Sequence, residues 1–163
     1  MRMTLIAVGR AKPGPVRDLY EHYAERLGHG SLGGPLGELT LKEVEERRPL
    51  SPEELRRREA ELLLAALATL PKGARLIALD ERGKTLTSND FAALLGRWRD
   101  QGAQDLAFVI GGAGGLHRSV REAATLTLAL GAMTWPHLLT RALLAEQLYR
   151  AQSILTGHPY HRE

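Results

Sequence analysis

Two histidines, a tyrosine and an arginine fall in the final stretch of the chain, Gly157-His158-Pro159-Tyr160-His161-Arg162-Glu163. Imidazole and phenol groups move protons, a guanidinium stabilises an anion, and an aromatic ring stacks on a base. Chain ends are normally frayed and chemically bland. Gly157 and Pro159 would stiffen this one, so it is expected to dock in a site. A charged solubility tail is the plain alternative, because Gly and Pro commonly follow a last helix. Upstream, Glu146 and Arg150 stand four residues apart with the acid first. That spacing makes a helix ion pair worth roughly a few tenths of a kcal/mol, and structure alone would explain it.

Three further segments could meet a ligand. Gly111-Gly112-Ala113-Gly114-Gly115 follows an apolar run and would let a ligand approach the backbone closely. Its register does not fit the dinucleotide fingerprint, since His117 stands where the third glycine belongs. A simple strand-to-helix turn is the competing explanation. Gly131-Ala132-Met133-Thr134-Trp135-Pro136-His137 is expected to be irregular, with Pro136 pushing Trp135 into an extended conformation. Its free amides and carbonyls could bond a purine edge between apolar walls, or it could be an ordinary loop with a core tryptophan. Gly83-Lys84-Thr85 imitates the end of a phosphate loop, but Ala78 occupies the required first glycine position. It reads as a turn with a surface lysine.

The elements that must position these residues alternate along the chain. Strands are predicted over 4–9, 38–42, 75–79, 106–110 and 125–130. Helices are predicted over 15–27, from Ser51-Pro52-Glu53-Glu54 to about Leu70, from Ser88 to near Gly102, briefly from Leu116, and from Pro136 to about Leu155. The glycine-rich stretch Gly28 to Gly37 reads as a loop. Strands separated by helix-length segments imply an α/β fold, a mostly parallel sheet with helices on both faces. Ligands of such sheets bind beyond the carboxyl ends of the strands. Here those ends are Leu79-Asp80, the glycine cluster and the segment after Leu130. The last helix is apolar on more than one side, which points to a subunit interface or to a central core helix.

At 163 residues the chain, 1–163, is expected to form one domain with a full core. Without cysteine there are no disulfides, thiolate metal sites or thiol nucleophiles. No apolar run reaches the ~18 residues of a membrane span, and Met1-Arg2-Met3 leads straight into a strand rather than a signal peptide. A cytoplasmic protein is the expectation. The net charge of +3 permits a nucleic-acid partner without demanding one. Arg56-Arg57-Arg58 lies among glutamates and reads as a salt-bridged helix face.

Taken in order and spacing, five groups of residues resemble one family. They are Ile110-Gly111-Gly112; Gly115-Leu116-His117; Met133-Thr134-Trp135-Pro136-His137; Glu146-Gln147-Leu148-Tyr149-Arg150-Ala151; and Gly157-His158-Pro159-Tyr160-His161. The chain resembles the RlmH family, large-subunit rRNA pseudouridine N3-methyltransferases of the SPOUT superfamily, over nearly its whole length. The resemblance implies an α/β-knot fold with a C-terminal trefoil knot, a homodimer, S-adenosylmethionine as methyl donor and no metal. It implies a donor site of Leu79, Gly112, Gly131, Ala132, Met133, Thr134, Trp135 and Pro136. It leaves Glu146, Arg150, Tyr160 and His161 as candidate catalytic residues, with Tyr160 stacking on the target base and Arg150 facing the developing anion. The substrate would be rRNA within the assembled ribosome. A SPOUT enzyme acting on tRNA and a non-catalytic RNA- or nucleotide-binding module are the alternatives.

Overall fold

β1 (Arg2–Val8) is apolar on both sides, as a central strand covered on two faces must be. Met3, Leu5 and Ala7 face one core, and Ile6 and Val8 face the other. In the computed structural model, which describes residues 1–29 and 34–162, β1 lies in a five-stranded sheet with β2 (Leu39–Val44), β3 (Arg75–Thr85), β4 (Asp105–Ile110) and β5 (Leu126–Ala129). The order is β2-β1-β4-β3-β5, and every pairing is parallel. The middle of the predicted 28–37 loop and Glu163 lie outside the described residues.

Helices α1 (Pro15–His29), α3 (Ser88–Asp100) and α5 (His137–Thr156) supply the core on one face, while α2 (Pro52–Ala68) and α4 (Arg118–Ala123) supply the other. The start of α2 is fixed as its sequence predicts. The Ser51 hydroxyl accepts from Glu54 N, and the Glu54 carboxylate accepts from Ser51 N at 3.1 Å. α5 ends at Gly157, whose φ of 68° gives the left-handed cap a glycine allows.

One expectation needs correction, and one pair of alternatives is narrowed. The third strand does not close at Asp80-Glu81, and Gly83-Lys84-Thr85 is not a turn. β3 runs on to Thr85 after an irregularity, so that both Leu79 and Lys84 pair with Leu128 of β5. A Cβ on Gly83 would stand 2.6 Å from the Leu128 backbone, so only glycine lets the strands rejoin there. The alternatives concern α5. Its apolar sides are covered within the chain, because it packs between α1 and α3. The two-sided pattern is thus met by a central helix and does not itself report a subunit interface.

Candidate active site

The irregular segment of β3 opens one wall of a cleft of about 640 Å³ at the carboxyl end of the sheet. Leu79 and Ile110 close its base, Gly111 to Leu116 form one side, and Leu130 to His137 form the other, Ala132 excepted. Three strand ends marked by the sequence are therefore one site. Of the eight residues expected to hold the donor, Leu79, Gly112, Gly131, Met133, Thr134, Trp135 and Pro136 line it. Ala132 does not; it is exposed beside the cleft.

Short bonds hold this cleft in shape. Gly115 N donates to Gly112 O at 3.0 Å, folding the glycine loop back on itself. The Trp135 indole donates to Leu130 O at 3.1 Å, and the Thr134 hydroxyl donates to Glu81 at 2.8 Å. Trp135 is nevertheless 41% exposed and Met133 74%. Large apolar side chains left open at the rim of a cleft are a ready surface for a flat ligand. A nucleoside with a thioether or sulfonium tail fits this combination of glycine backbone, apolar rim and free main-chain polar groups.

Arg141 ties the start of α5 to the end of β1 and to β2. It is 2% exposed and donates to Val8 O at 2.9 Å, Gly9 O at 2.8 Å and Glu43 at 2.6 Å. Burial, followed by the charge of Arg141, lowers the pKa of His137 at the cleft edge.

The second group of candidates forms a separate cluster. The C-terminal segment is docked, as expected: Tyr160 packs edge-on against Tyr149 at 4.7 Å, with its ring 4.9 Å from the Arg150 guanidinium. The Tyr160 hydroxyl donates to Glu146 at 3.0 Å and lies 3.3 Å from the Tyr23 hydroxyl. Arg150 donates to the same Glu146 oxygen through Nε and Nη2, and Gln147 donates to the other at 2.8 Å. His161 Nδ1 stands 3.3 Å from Arg150 Nη1, while its Nε2 is buried without a partner. Burial, then the bonds to Tyr23 and Glu146, raise the Tyr160 pKa, so its phenol stays protonated. The bond to Glu146 raises that of Arg150, so its charge is permanent.

Glu146, Arg150, Tyr160 and His161 are therefore brought together, but not with the cleft, which none of them lines. Along α5, Glu146 stands about 13 Å beyond His137 and Arg150 about 20 Å. The tail does not reach the cleft of its own chain: its end docks against Tyr23 and Arg26 of α1.

Residues 1–161 match the family model described as "Predicted SPOUT methyltransferase". The chain belongs to the SPOUT methyltransferase family. SPOUT relatives of high identity include the ribosomal RNA large subunit methyltransferase H of Rhodospirillum centenum (strain ATCC 51521 / SW), 61% identical over 99% of each chain. The protein of the same name from Paramagnetospirillum magneticum (strain ATCC 700264 / AMB-1) is 57% identical over 99% of each. Among solved structures, a probable methyltransferase from Bordetella pertussis Tohama I is similar in fold. Its TM-score is 0.53 at 19% identity, over 92% of this chain and 95% of that one.

Sequence reasoning missed several residues of this SPOUT cleft. Glu81 and Arg82 line it because β3 bulges there, which the strand pattern does not announce. Arg56 lines it from α2. A signal for Arg56 exists: with Glu59, Ala60 and Leu63 it lies on one helical face, and that face is the buried one. Arg57 and Arg58 behave as read, pairing with Glu53, and with Glu46 and Glu61.

Proposed function

We propose that this protein transfers a methyl group from S-adenosylmethionine to N3 of a pseudouridine in large-subunit rRNA, within the assembled ribosome. Residues 1–163 act as one methyltransferase domain, and the working form is a cytoplasmic homodimer. The observation that carries this proposal is full-length identity of 61 and 57% to proteins named as large-subunit rRNA methyltransferases. The knotted C-terminal path belongs to the same proposal.

The donor, when bound, supplies an electrophilic methyl group that needs little activation. The target nitrogen carries an imide proton and attacks only as that proton leaves. Leu79, Gly112 and the segment from Gly131 to Pro136 hold the donor and exclude water around it. Arg150 stabilises the imide anion, with its orientation fixed by Glu146. Tyr160 offers a ring to the target base, and His161, whose Nδ1 takes a hydrogen bond from Arg150, receives the imide proton at that nitrogen as Arg150 turns to the base.

The separation of the two clusters argues for the homodimer. A second copy, related by a two-fold axis, brings its Glu146–Arg150–Tyr160–His161 cluster to this chain's cleft and receives the same in return. Val16 and Leu19, 38 and 42% exposed on α1, are apolar surface available for such a contact. A non-catalytic module has no use for a cleft and a proton-handling cluster together.

The test is direct. Ribosomes lacking the modification are incubated with protein and labelled donor, and the methylated nucleotide is mapped. Label at N3 of one pseudouridine is expected, with little on protein-free rRNA. Label in tRNA, or none despite donor binding, refutes the assignment.

A further inference from the structure

The face of α2 that packs on the sheet carries Ala60 and Leu63, 3 and 1% exposed. Arg56 and Glu59 lie on that same face, one turn apart. Glu59 is only 8% exposed. A carboxylate so buried is almost always paired, because desolvation penalises its charge. Glu59 forms no ion pair and no hydrogen bond among the described residues, and burial alone raises its pKa. A Cβ on Gly112 would stand 2.9 and 3.1 Å from its two oxygens. The carboxylate thus lies against the glycine loop of the cleft, and a side chain at 112 would force it to move.

Arg56 reaches the cleft itself. Its Nε is buried without an acceptor, and it forms no ion pair among the described residues. The other acids of the cleft are engaged: Asp80 takes Arg82 N at 2.9 Å and Arg121 at 3.4 Å, and Glu81 takes Thr134. Arg82 is exposed and therefore hydrated. Two unmet charges of opposite sign remain beside the Gly112 loop, unpaired with each other. A zwitterion satisfies both at once.

We propose that Arg56 and Glu59 hold the α-amino acid end of the methyl donor, Arg56 binding its carboxylate and Glu59 its α-ammonium group. This presupposes that the cleft is the donor site proposed above. It explains why a helix on the far side of the sheet from α5 sends an arginine into the cleft, and why a buried acid stays unpaired beneath it.

Two ligands test this by titration calorimetry. S-adenosylhomocysteine and 5′-methylthioadenosine share the nucleoside and a neutral thioether; only the first carries the amino acid. Arg56→Met and Glu59→Gln are each expected to weaken S-adenosylhomocysteine by roughly tenfold or more, the scale of a lost hydrogen bond to a charged group. Methylthioadenosine binding should stay unchanged, and Arg56→Lys should recover part of the loss. Unchanged binding of S-adenosylhomocysteine by Arg56→Met overturns the proposal, as does equal loss of both ligands. A wild-type protein that binds neither ligand removes the donor site itself, a distinct failure that also overturns the proposal.

Discussion

Glu146 is the residue on which the C-terminal cluster turns. Its carboxylate accepts from Arg150, Tyr160 and Gln147, so it orients two candidate catalytic groups at once. Glu146→Gln keeps the size but loses the charge that fixes Arg150. Methyl transfer is expected to fall by about a hundredfold or more, while donor affinity, read by calorimetry, stays at the wild-type value. Glu59 makes the opposite case. Its folded pKa is raised above the unfolded one, so its contribution to stability is favourable below the ordinary carboxylate range and is lost as pH rises through the folded value. At pH 7 the ionised, buried group therefore costs stability. Glu59→Gln should raise the melting temperature at pH 7 by about 2 °C or more, and the gain should fade in scans taken below pH 4. Greater stability joined to weaker donor binding would mark a group kept for its ligand.

At the scale of elements, the shape of the cleft depends on how β3 leaves and rejoins β5. The excursion over Asp80 to Arg82 makes the wall, and Gly83 permits the return. Gly83→Ala would set a methyl group 2.6 Å from backbone that cannot yield. It is expected to cost about 2 kcal/mol or more by denaturant unfolding and to abolish donor binding together with stability. Removing the α2 cap tests the converse. Ser51→Ala loses the hydroxyl that accepts from Glu54 N but keeps the backbone bond from position 51 to the Glu54 carboxylate; it should cost about 1 kcal/mol, yet leave donor affinity intact, because Ser51 does not line the cleft.

For the whole molecule, the decisive question is which chain's C-terminal segment serves which cleft. Deleting residues 159–163 should leave folding and donor binding largely intact, since the segment follows α5 and does not line the cleft, yet abolish methyl transfer. Gly112→Val should do the reverse by pressing on Glu59 and Val8 and distorting the glycine loop of the cleft. Each variant alone is expected to be inactive. Co-expressed in equal amounts, they should regain roughly a quarter of wild-type turnover, because random pairing gives half mixed dimers with one complete site each. No recovery would mean that each chain serves its own cleft after a rearrangement of the tail.

Much of this was open to inspection in the amino-acid order. Alternating apolar runs, the Ser51 cap and the Gly157 stop determine the elements, because caps and periodicity act locally. The parallel sheet follows from helix-length spacing between strands. The sequence also pointed to three strand ends as a site, and to a docked terminus. Tertiary structure alone decided the rest, because it depends on contacts between residues distant in the chain. The rejoining of β3 to β5 turned an apparent turn at Gly83 into strand and placed Asp80 to Arg82 in the cleft wall. Packing between α1 and α3 accounted for the two apolar sides of α5. The length of α5 carried Glu146, Arg150, Tyr160 and His161 away from the cleft of their own chain. A chain records which residues it carries and their local conformational preferences; only its folding in three dimensions fixes the distances between them.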